Sequence, residues 1–439
     1  MPAQPTPTIS RMLADGTIVE LVHDPEARTT ALAVGEPDGS TATAERLELP
    51  DGQVLVPYAP DNNLLTTGAV VLPSAIGRYE AKAELLADIK AFLHRHVDLS
   101  PLFEDIAAHY VLFSWVYDAF QEAPMLRLSG EFGSGKTRGL LAIGSLCHKA
   151  FFASGASTTS PIFHIIDAFG GTLALDEADL RLSDKTADLV KILNNGTTRG
   201  LPVLRTMTNR HKELNPTAFR VFGPKIVAMR GTFDDEALES RFIDEVMGTR
   251  PLRSDIPLAT PESLRSEARS LRDRLLAWRF AERRTLAIDL SRAIEGLSPR
   301  GNQMALPLLA LADDPGLREA LGGHLARQEA RAQARRAERP RAKVAGVLDR
   351  MFRESGASAI PVARVAEEYN RDAMTALPVK SVGHIVRAEL GLETRKSRGV
   401  YVVPADERTK IAQVAARHRI DGVGAHSAAA FIPREAREK

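Results

Sequence analysis

Gly130-Glu131-Phe132-Gly133-Ser134-Gly135-Lys136-Thr137 fits the phosphate-binding loop pattern G-x-x-x-x-G-K-[ST] in full. Its flanks suit it. Met125-Leu126-Arg127-Leu128 reads as a strand running into the loop, and Gly139-Leu140-Leu141-Ala142-Ile143 as the helix leaving it. The glycines let successive backbone N–H groups turn toward phosphate oxygens, and the helix adds its positive N-terminal end. In this pattern Lys136 reaches the β/γ-phosphates and the Thr137 hydroxyl ligates Mg²⁺. The stretch predicts binding of a nucleoside triphosphate, with Gly130, Glu131, Phe132, Gly133, Ser134, Gly135, Lys136 and Thr137 as the phosphate-binding residues.

A phosphate loop binds; hydrolysis also needs a carboxylate on the metal side and a means of activating water. Leu173-Ala174-Leu175-Asp176-Glu177, about 40 residues downstream, supplies both as an apolar strand ending in two acids. Asp176 is the expected Mg²⁺ partner, and Glu177 the group that takes a proton from the attacking water. ATP and Mg²⁺ are the implied substrate and metal.

The 439 residues leave room for two to four domains. The chain is 44% hydrophobic and 26% charged, ordinary for a soluble globular protein. A net charge of +1 confines any nucleic-acid surface to a local patch. The single cysteine, Cys147, permits no internal disulfide and no cysteine-based zinc site, which fits a reducing cytoplasm. No run of 18 apolar residues and no signal-peptide pattern at the start imply a soluble cytoplasmic protein without membrane contact.

Periodicity divides the chain further. Residues 1–75 read as a small β module and 76–123 as a helical lead-in. Residues 124–250 alternate strand and helix, with strands at 125–129, 149–153, 172–176, 225–229 and 242–247, as in a mostly parallel sheet. Residues 251–330 read as a lid, helical throughout from 262, and 331–343 as a basic linker broken at Pro340. Residues 344–404 form a second compact unit and 405–439 a polar tail. Val203-Leu204-Arg205-Thr206 and Thr217-Ala218-Phe219-Arg220-Val221-Phe222 predict a β-hairpin with a basic tip at Asn209-Arg210-His211-Lys212.

Residues 80–315 resemble AAA+-type P-loop ATPases, especially the helicase-like ATPases of phages, plasmids and integrated elements that accompany primases. The likeness rests on Leu175-Asp176-Glu177-Ala178-Asp179, Leu193-Asn194-Asn195-Gly196, Phe222-Gly223-Pro224-Lys225-Ile226-Val227-Ala228, Glu239-Ser240-Arg241-Phe242-Ile243-Asp244 and Pro299-Arg300-Gly301-Asn302-Gln303. Asp176-Glu177-Ala178-Asp179 also spells the DEAD-box signature, but the mostly helical region after 250 offers no second RecA-like domain. The AAA+ resemblance implies an α/β ATPase core with a helical lid, an arginine finger at Arg241 acting on a neighbouring subunit, and a sensor-2 arginine at Arg300. It implies a homo-oligomer, single-stranded DNA gripped in a pore by Arg210 and Lys212, and a separate primase chain as partner. Arg230 stands where a sensor-1 Asn, Ser or Thr is usual. The C-terminal unit resembles a winged helix that binds duplex DNA through Lys380, Arg387, Arg395, Lys396 and Arg398. A DNA-dependent ATPase or helicase in replication follows; the alternative is an ATP-switched DNA-binding regulator or loader that does not translocate.

Overall fold

The computed structural model describes residues 5–155, 157–177, 184–208, 214–233, 235–373 and 375–418. The chain forms two compact units, Met1–Leu325 and Ala326–Lys439.

The first unit begins with β1 Thr6–Thr8, β2 Ser10–Met12, β3 Ile18–Asp24, β4 Thr29–Gly35, β5 Thr41–Ala44, β6 Leu47–Glu48 and β7 Val54–Pro57. They make a four-stranded antiparallel sheet in the order β2-β3-β4-β5 and a three-stranded one in the order β1-β7-β6. This region is less separate than a β module would be. Side chains alternate along a strand, and β3 is buried on both faces: Val19 packs with Leu32 and Leu55, whereas Ile18 and Val22 enter the main core of the unit. Glu20 shares the core-facing side with Ile18 and Val22.

Helices follow at α1 Asn63–Thr66, α2 Lys82–His96 and α3 Pro101–Val116. Leu85, Ile89, Phe92 and Leu93 recur at helical spacing along α2 and are all buried. Ser100 caps α3, its hydroxyl accepting from Phe103 N at 3.3 Å, and Pro101 occupies the first turn.

The centre of the unit runs β8 Met125–Ser129, α4 Lys136–Leu146, β9 Phe151–Ser154, α5 Thr159–Phe169, β10 Leu173–Asp176, α6 Asp184–Asn195, β11 Val203–Thr208, β12 Leu214–Phe219, β13 Lys225–Met229, α7 Glu236–Glu239 and β14 Phe242–Val246. Five of these strands form one all-parallel sheet in the order β14-β8-β13-β10-β9. Both faces are covered, as a parallel sheet requires. Leu126, Leu128, Ile226, Ala228 and Ile243 face one core, shared with α3 and α4; Met125, Leu173, Leu175, Val227 and Phe242 face the other, shared with α5 and α6.

Beyond the sheet come α8 Ser263–Glu282, α9 Pro299–Leu309 and α10 Pro315–Glu338. The stretch from 262 is therefore not helical throughout. Asp289 caps a short 3₁₀ turn, Gly296 takes a positive φ of 84°, and Ser298 followed by Pro299 starts a new helix. These turn and cap residues outweigh the apolar periodicity on which the continuous reading rested.

The second unit contains α11 Pro340–Ser355, β15 Ala359–Pro361, α12 Val362–Arg371, α13 Val379–His384, β16 Arg395–Ser397, β17 Val400–Pro404 and α14 Arg408–His418. Its strands pair antiparallel in the order β15-β17-β16. The basic stretch from 331 is helix as far as Glu338, where α10 ends, and Pro340 sits in the first turn of α11, where a missing N–H costs nothing. One expectation changes here: 405–418 is not a tail, because α14 buries Ile411 and Ala415 and packs on α11.

One buried polar cluster ties the first unit together. The Glu20 carboxylate accepts from Ser10 Oγ (2.8 Å), Arg279 Nε (2.8 Å), His148 Nε2 (3.3 Å) and Lys149 Nζ (3.3 Å). Arg279 also donates to Asp118 at 2.9 and 3.0 Å, and Arg283 Nε to Asp118 at 2.8 Å. Strands β2 and β3, the loop after α4 and helix α8 thus meet at the Glu20 carboxylate, and Arg279 links it to a second one, Asp118, just beyond α3. Burial alone would raise the Glu20 pKa; Lys149, Arg279 and His148 outweigh it and hold the group well below the carboxylate range. Burial, then Lys149, depress His148 to about 4, so its ring is neutral near pH 7.

Glu20→Gln leaves buried cations short of a counter-charge and should cost about 3–5 kcal/mol of stability in denaturant unfolding. The sign with pH follows from the lowered folded-state pKa. The stabilisation is complete above the ordinary unfolded Glu value of about 4.3 and is lost as pH falls through the folded value, and the variant should lack that acid-side loss.

Candidate functional site

β8 is buried and delivers the chain to the loop at the C-terminal edge of the sheet. Gly130, Gly133 and Gly135 take φ of 150°, 76° and 88°, a region that L side chains rarely adopt. A Cβ on Gly130 would lie 2.6 Å from the Met247 carbonyl and 2.8 Å from Ser134 Oγ. Gly135 caps α4, so the helix begins at Lys136 with the N–H groups of its first turn unclaimed by the helix itself. Lys136 Nζ donates to the Gly130 and Glu131 carbonyls at 2.8 and 2.7 Å, folding its ammonium across the loop. Phe132, at the tip, is 93% exposed.

The two motifs meet. Thr137 Oγ1 donates to Asp176 Oδ2 at 2.8 Å, and Asp176 Oδ1 accepts from Glu177 N at 2.9 Å. A hydroxyl and a carboxylate oxygen in contact are hard donors suited to Mg²⁺. That ion prefers one or two protein ligands, with water and phosphate filling the rest of its shell. Among the described residues no cluster of three His, Cys, Asp or Glu competes as a fuller metal cage.

Glu177 is exposed and adopts φ of 53°, a left-handed conformation uncommon for a non-glycine residue. Gly155 holds it there: Gly155 N donates to Asp176 O at 2.9 Å, and a Cβ on Gly155 would lie 2.5 Å from the Glu177 carbonyl. Sequence reasoning passed over Gly155; a glycine directly after β9 was its one signal. Asp179 lies outside the described residues.

Between β8 and β10 runs β13, the strand expected to carry sensor 1, and Arg230 follows its last residue. Arg241 stands at the other edge of the sheet. It directly precedes β14, which pairs with β8 in parallel register from Phe242↔Met125 to Val246↔Ser129. Five residues at about 3.3 Å each separate the two edges by roughly 17 Å. Arg241 Nη1 donates to Thr197 Oγ1 at 2.6 Å. Burial, then the charge of Arg300, lower its pKa, against Glu122 and Asp235. Arg300, in the first turn of α9, is therefore near enough for its charge to act on Arg241.

Arg127 was missed because an apolar run surrounds it. It is buried, donates from Nε to Asp244 Oδ1 at 2.9 Å and from its amino groups to Glu239 and Asp244, and lies 5.1 Å over the Phe242 ring. Burial alone would lower its pKa; Asp244 and Glu239 raise it. Glu239 and Asp244 flank Arg241, so this clamp fixes the backbone that carries it.

β11 and β12 form the expected hairpin, paired from Val203↔Phe219 to Thr208↔Leu214. Its tip, with Arg210 and Lys212, lies outside the described residues. In the second unit Lys380, Arg387, Arg395, Lys396 and Arg398 are all exposed. Arg387 lies over the Tyr401 ring at 5.6 Å, and Lys396 pairs with Tyr401 across the hairpin. Arg398 and Gly399, both at positive φ, make its two-residue turn. Arg395 is turned to Asp406 at 3.0 Å.

No protein-family model matches this chain, and no curated protein matches it. Among solved structures, it is similar to the apo structure of the NrS-1 C-terminal region (305–718), at 10% identity and a TM-score of 0.39 over 88% of this chain and 96% of that one. The A form of that region gives 11% identity and a TM-score of 0.37 over the same shares. JCV helicase, bound to a thiazolopyridinyl-phenoxyphenyl acetamide, gives 16% identity and a TM-score of 0.25 over 57% of this chain and 62% of that one. Among the described residues no helix is long and apolar enough to cross a membrane.

Gly130→Ala should strain the loop by about 1–3 kcal/mol, a roughly 5- to 150-fold loss of triphosphate affinity, readable by calorimetric titration with Mg²⁺ and ATP.

Proposed function

We propose that this chain is a Mg²⁺-dependent ATPase of AAA+ type that works as a homo-oligomer on DNA, as a helicase in replication of a phage or mobile element. The observation that carries the reading is the Thr137–Asp176 contact, which joins the phosphate loop to an acid-tipped strand across an intervening strand.

Mg²⁺, held by Thr137 and Asp176, would offset charge on the β- and γ-phosphates of ATP. Lys136 exchanges its loop carbonyls for phosphate oxygens. Glu177 takes the proton from water as the water oxygen attacks the γ-phosphorus, the bond to the β-phosphate breaks, and ADP leaves. Arg241 and Arg300 act in trans. Arg241 stands at the edge of the sheet opposite its own loop, within reach of the Arg300 charge, and a cation there suits a phosphate supplied by the next subunit. Arg210 and Lys212 hold the strand in the pore. The second unit serves as a winged helix on duplex DNA, with Arg387, Lys396 and Tyr401 as its contact face. That exposed basic face also favours a second reading, an ATP-switched DNA-binding regulator or loader. A strand-displacement assay separates the two, because only the motor unwinds, and only while Arg210 and Lys212 are intact.

Glu177→Gln should lower steady-state ATP turnover about 10²- to 10⁴-fold while MgATP still binds. Unchanged turnover removes Glu177 from the mechanism.

Arg241→Ala should lower turnover about 10³- to 10⁵-fold. Mixed with Lys136→Ala subunits, which are inactive by themselves, it should recover part of the rate. Mixed interfaces then pair an intact loop with an intact finger. A mixture that stays inactive at every ratio rules out action between subunits.

A further inference from the structure

A cleft of about 540 Å³ opens at the N-terminal edge of the central sheet, opposite the edge that carries the phosphate loop. Both roots of the β11–β12 hairpin line it: Leu201 and Pro202 on the way in, Arg220 and Phe222 on the way out. The cleft is of ordinary small-ligand size, and two features of its lining select the ligand.

The first is an aromatic floor. The rings of Tyr117 and Phe222 lie 5.8 Å apart, and Phe169 lines the cleft near them. The second is a pair of arginines whose charge is loosely spent. The Arg199 guanidinium lies 4.8 Å over Phe222, held by the backbone carbonyls of Phe120 (3.1 Å) and Asp118 (2.9 Å). Those acceptors are neutral, and the Asp118 carboxylate itself is engaged by Arg279 and Arg283. The Arg220 side chain is 80% exposed and pairs with Asp167 at 3.0 Å. An exposed ion pair of that kind is weak, so exchanging it for a phosphate costs little. Lys149 closes the wall behind them, its ammonium committed to Glu20.

The two rings are inclined at 46° and Arg199 covers one face of Phe222, which leaves the Tyr117 ring and the uncovered side of Phe222 for a base and the guanidinium groups for the phosphate. Arg199, Gly200, Leu201 and Arg220 expose one side of the cleft to solvent, and Leu204, in the adjoining strand, is 70% exposed. An open trough fits a continuous chain better than a mononucleotide.

We infer that this cleft is a second contact for single-stranded nucleic acid at the root of the hairpin, with phosphates on Arg199 and Arg220 and a base against Phe222 and Tyr117. The inference rests on the reading of the chain as a nucleic-acid motor and adds to it a site remote from the hairpin tip.

The test uses the full chain with Mg²⁺ and a non-hydrolysable ATP analogue, titrated into a fluorescein-labelled oligothymidylate over a range of salt, with thymidine monophosphate as competitor. Arg220→Gln should reduce the slope of log affinity against log salt by about 1, and Phe222→Leu should weaken binding about 10-fold. An oligonucleotide carrying 5-iododeoxyuridine, irradiated on the unaltered protein, should cross-link to the peptide holding Tyr117 or Phe222; that readout does not depend on how the variants fold. Cross-links confined to other peptides, together with unaltered binding by both variants, overturn the cleft while leaving the motor reading intact. Competition by thymidine monophosphate as strong as that of the oligomer overturns the polymer in favour of a free nucleotide. An unaltered protein that binds no oligonucleotide at any salt overturns the motor reading and the cleft together.

Discussion

The bond between Thr137 and Asp176 exists because β8 and β10 run in the same direction. In a parallel sheet every strand exits at one edge, so a glycine loop after one strand and an acid at the end of another converge whatever lies between them in sequence. β13 lies between the two, which sets the loop and the acid two strand spacings apart, about 9–10 Å. The Thr137 hydroxyl, carried inward on the first turn of α4, closes that gap. Alter the direction of either strand and this contact disappears, though each residue remains.

The same polarity sets other features at the opposite edge. Arg241 and the cleft by the hairpin roots lie where strands begin. β13 spans the two edges, and its first residue is anchored unusually. Lys225 is fully buried and donates to the carbonyls of Gly196 (3.0 Å), Val221 (3.0 Å) and Gly223 (2.8 Å), while Tyr110 bridges its backbone N and O at 2.8 Å each. Burial lowers its pKa to about 7. The hairpin exit and the turn after α6 are therefore fastened to the strand whose far end leads into Arg230.

Much of this was legible in the residues. Glycine spacing gave the phosphate loop, because positive φ at three positions leaves little choice of residue, and the five sheet strands fell within about two residues of their expected bounds. Buried charge was harder to see. Arg127 sits in an apolar run, Lys225 begins a strand, and Glu20 reads as the polar side of one, so each resembles a solvated residue until its partners fold against it, 112 and 117 positions away for Arg127, up to 259 for Glu20 and up to 29 for the Lys225 ammonium. Helix α14 was hidden by a polar composition that buries only Ile411 and Ala415. Arg300 matched a motif in order and spacing, but order along a chain does not tell which edge of a sheet a helix end will reach.

That edge bears on how many copies make one working site. Loop and acids stand at one side of the sheet, and Arg241 stands some 17 Å away at the other. Even a fully extended arginine spans less than half that distance, and Arg241 is tethered to Thr197 besides. In the proposed ATPase a single chain could not bring this guanidinium to its own phosphate. It would present its phosphate loop on one side and Arg241 on the other. Two such surfaces are heterologous, and repetition of one heterologous contact closes a ring or extends a filament. Under that proposal, closure of the interface on nucleotide would move the neighbouring sheet as a body, and with it the hairpin roots fastened by Lys225. Chemistry at one edge and grip at the other would then be coupled by geometry, with no flexible element required between them.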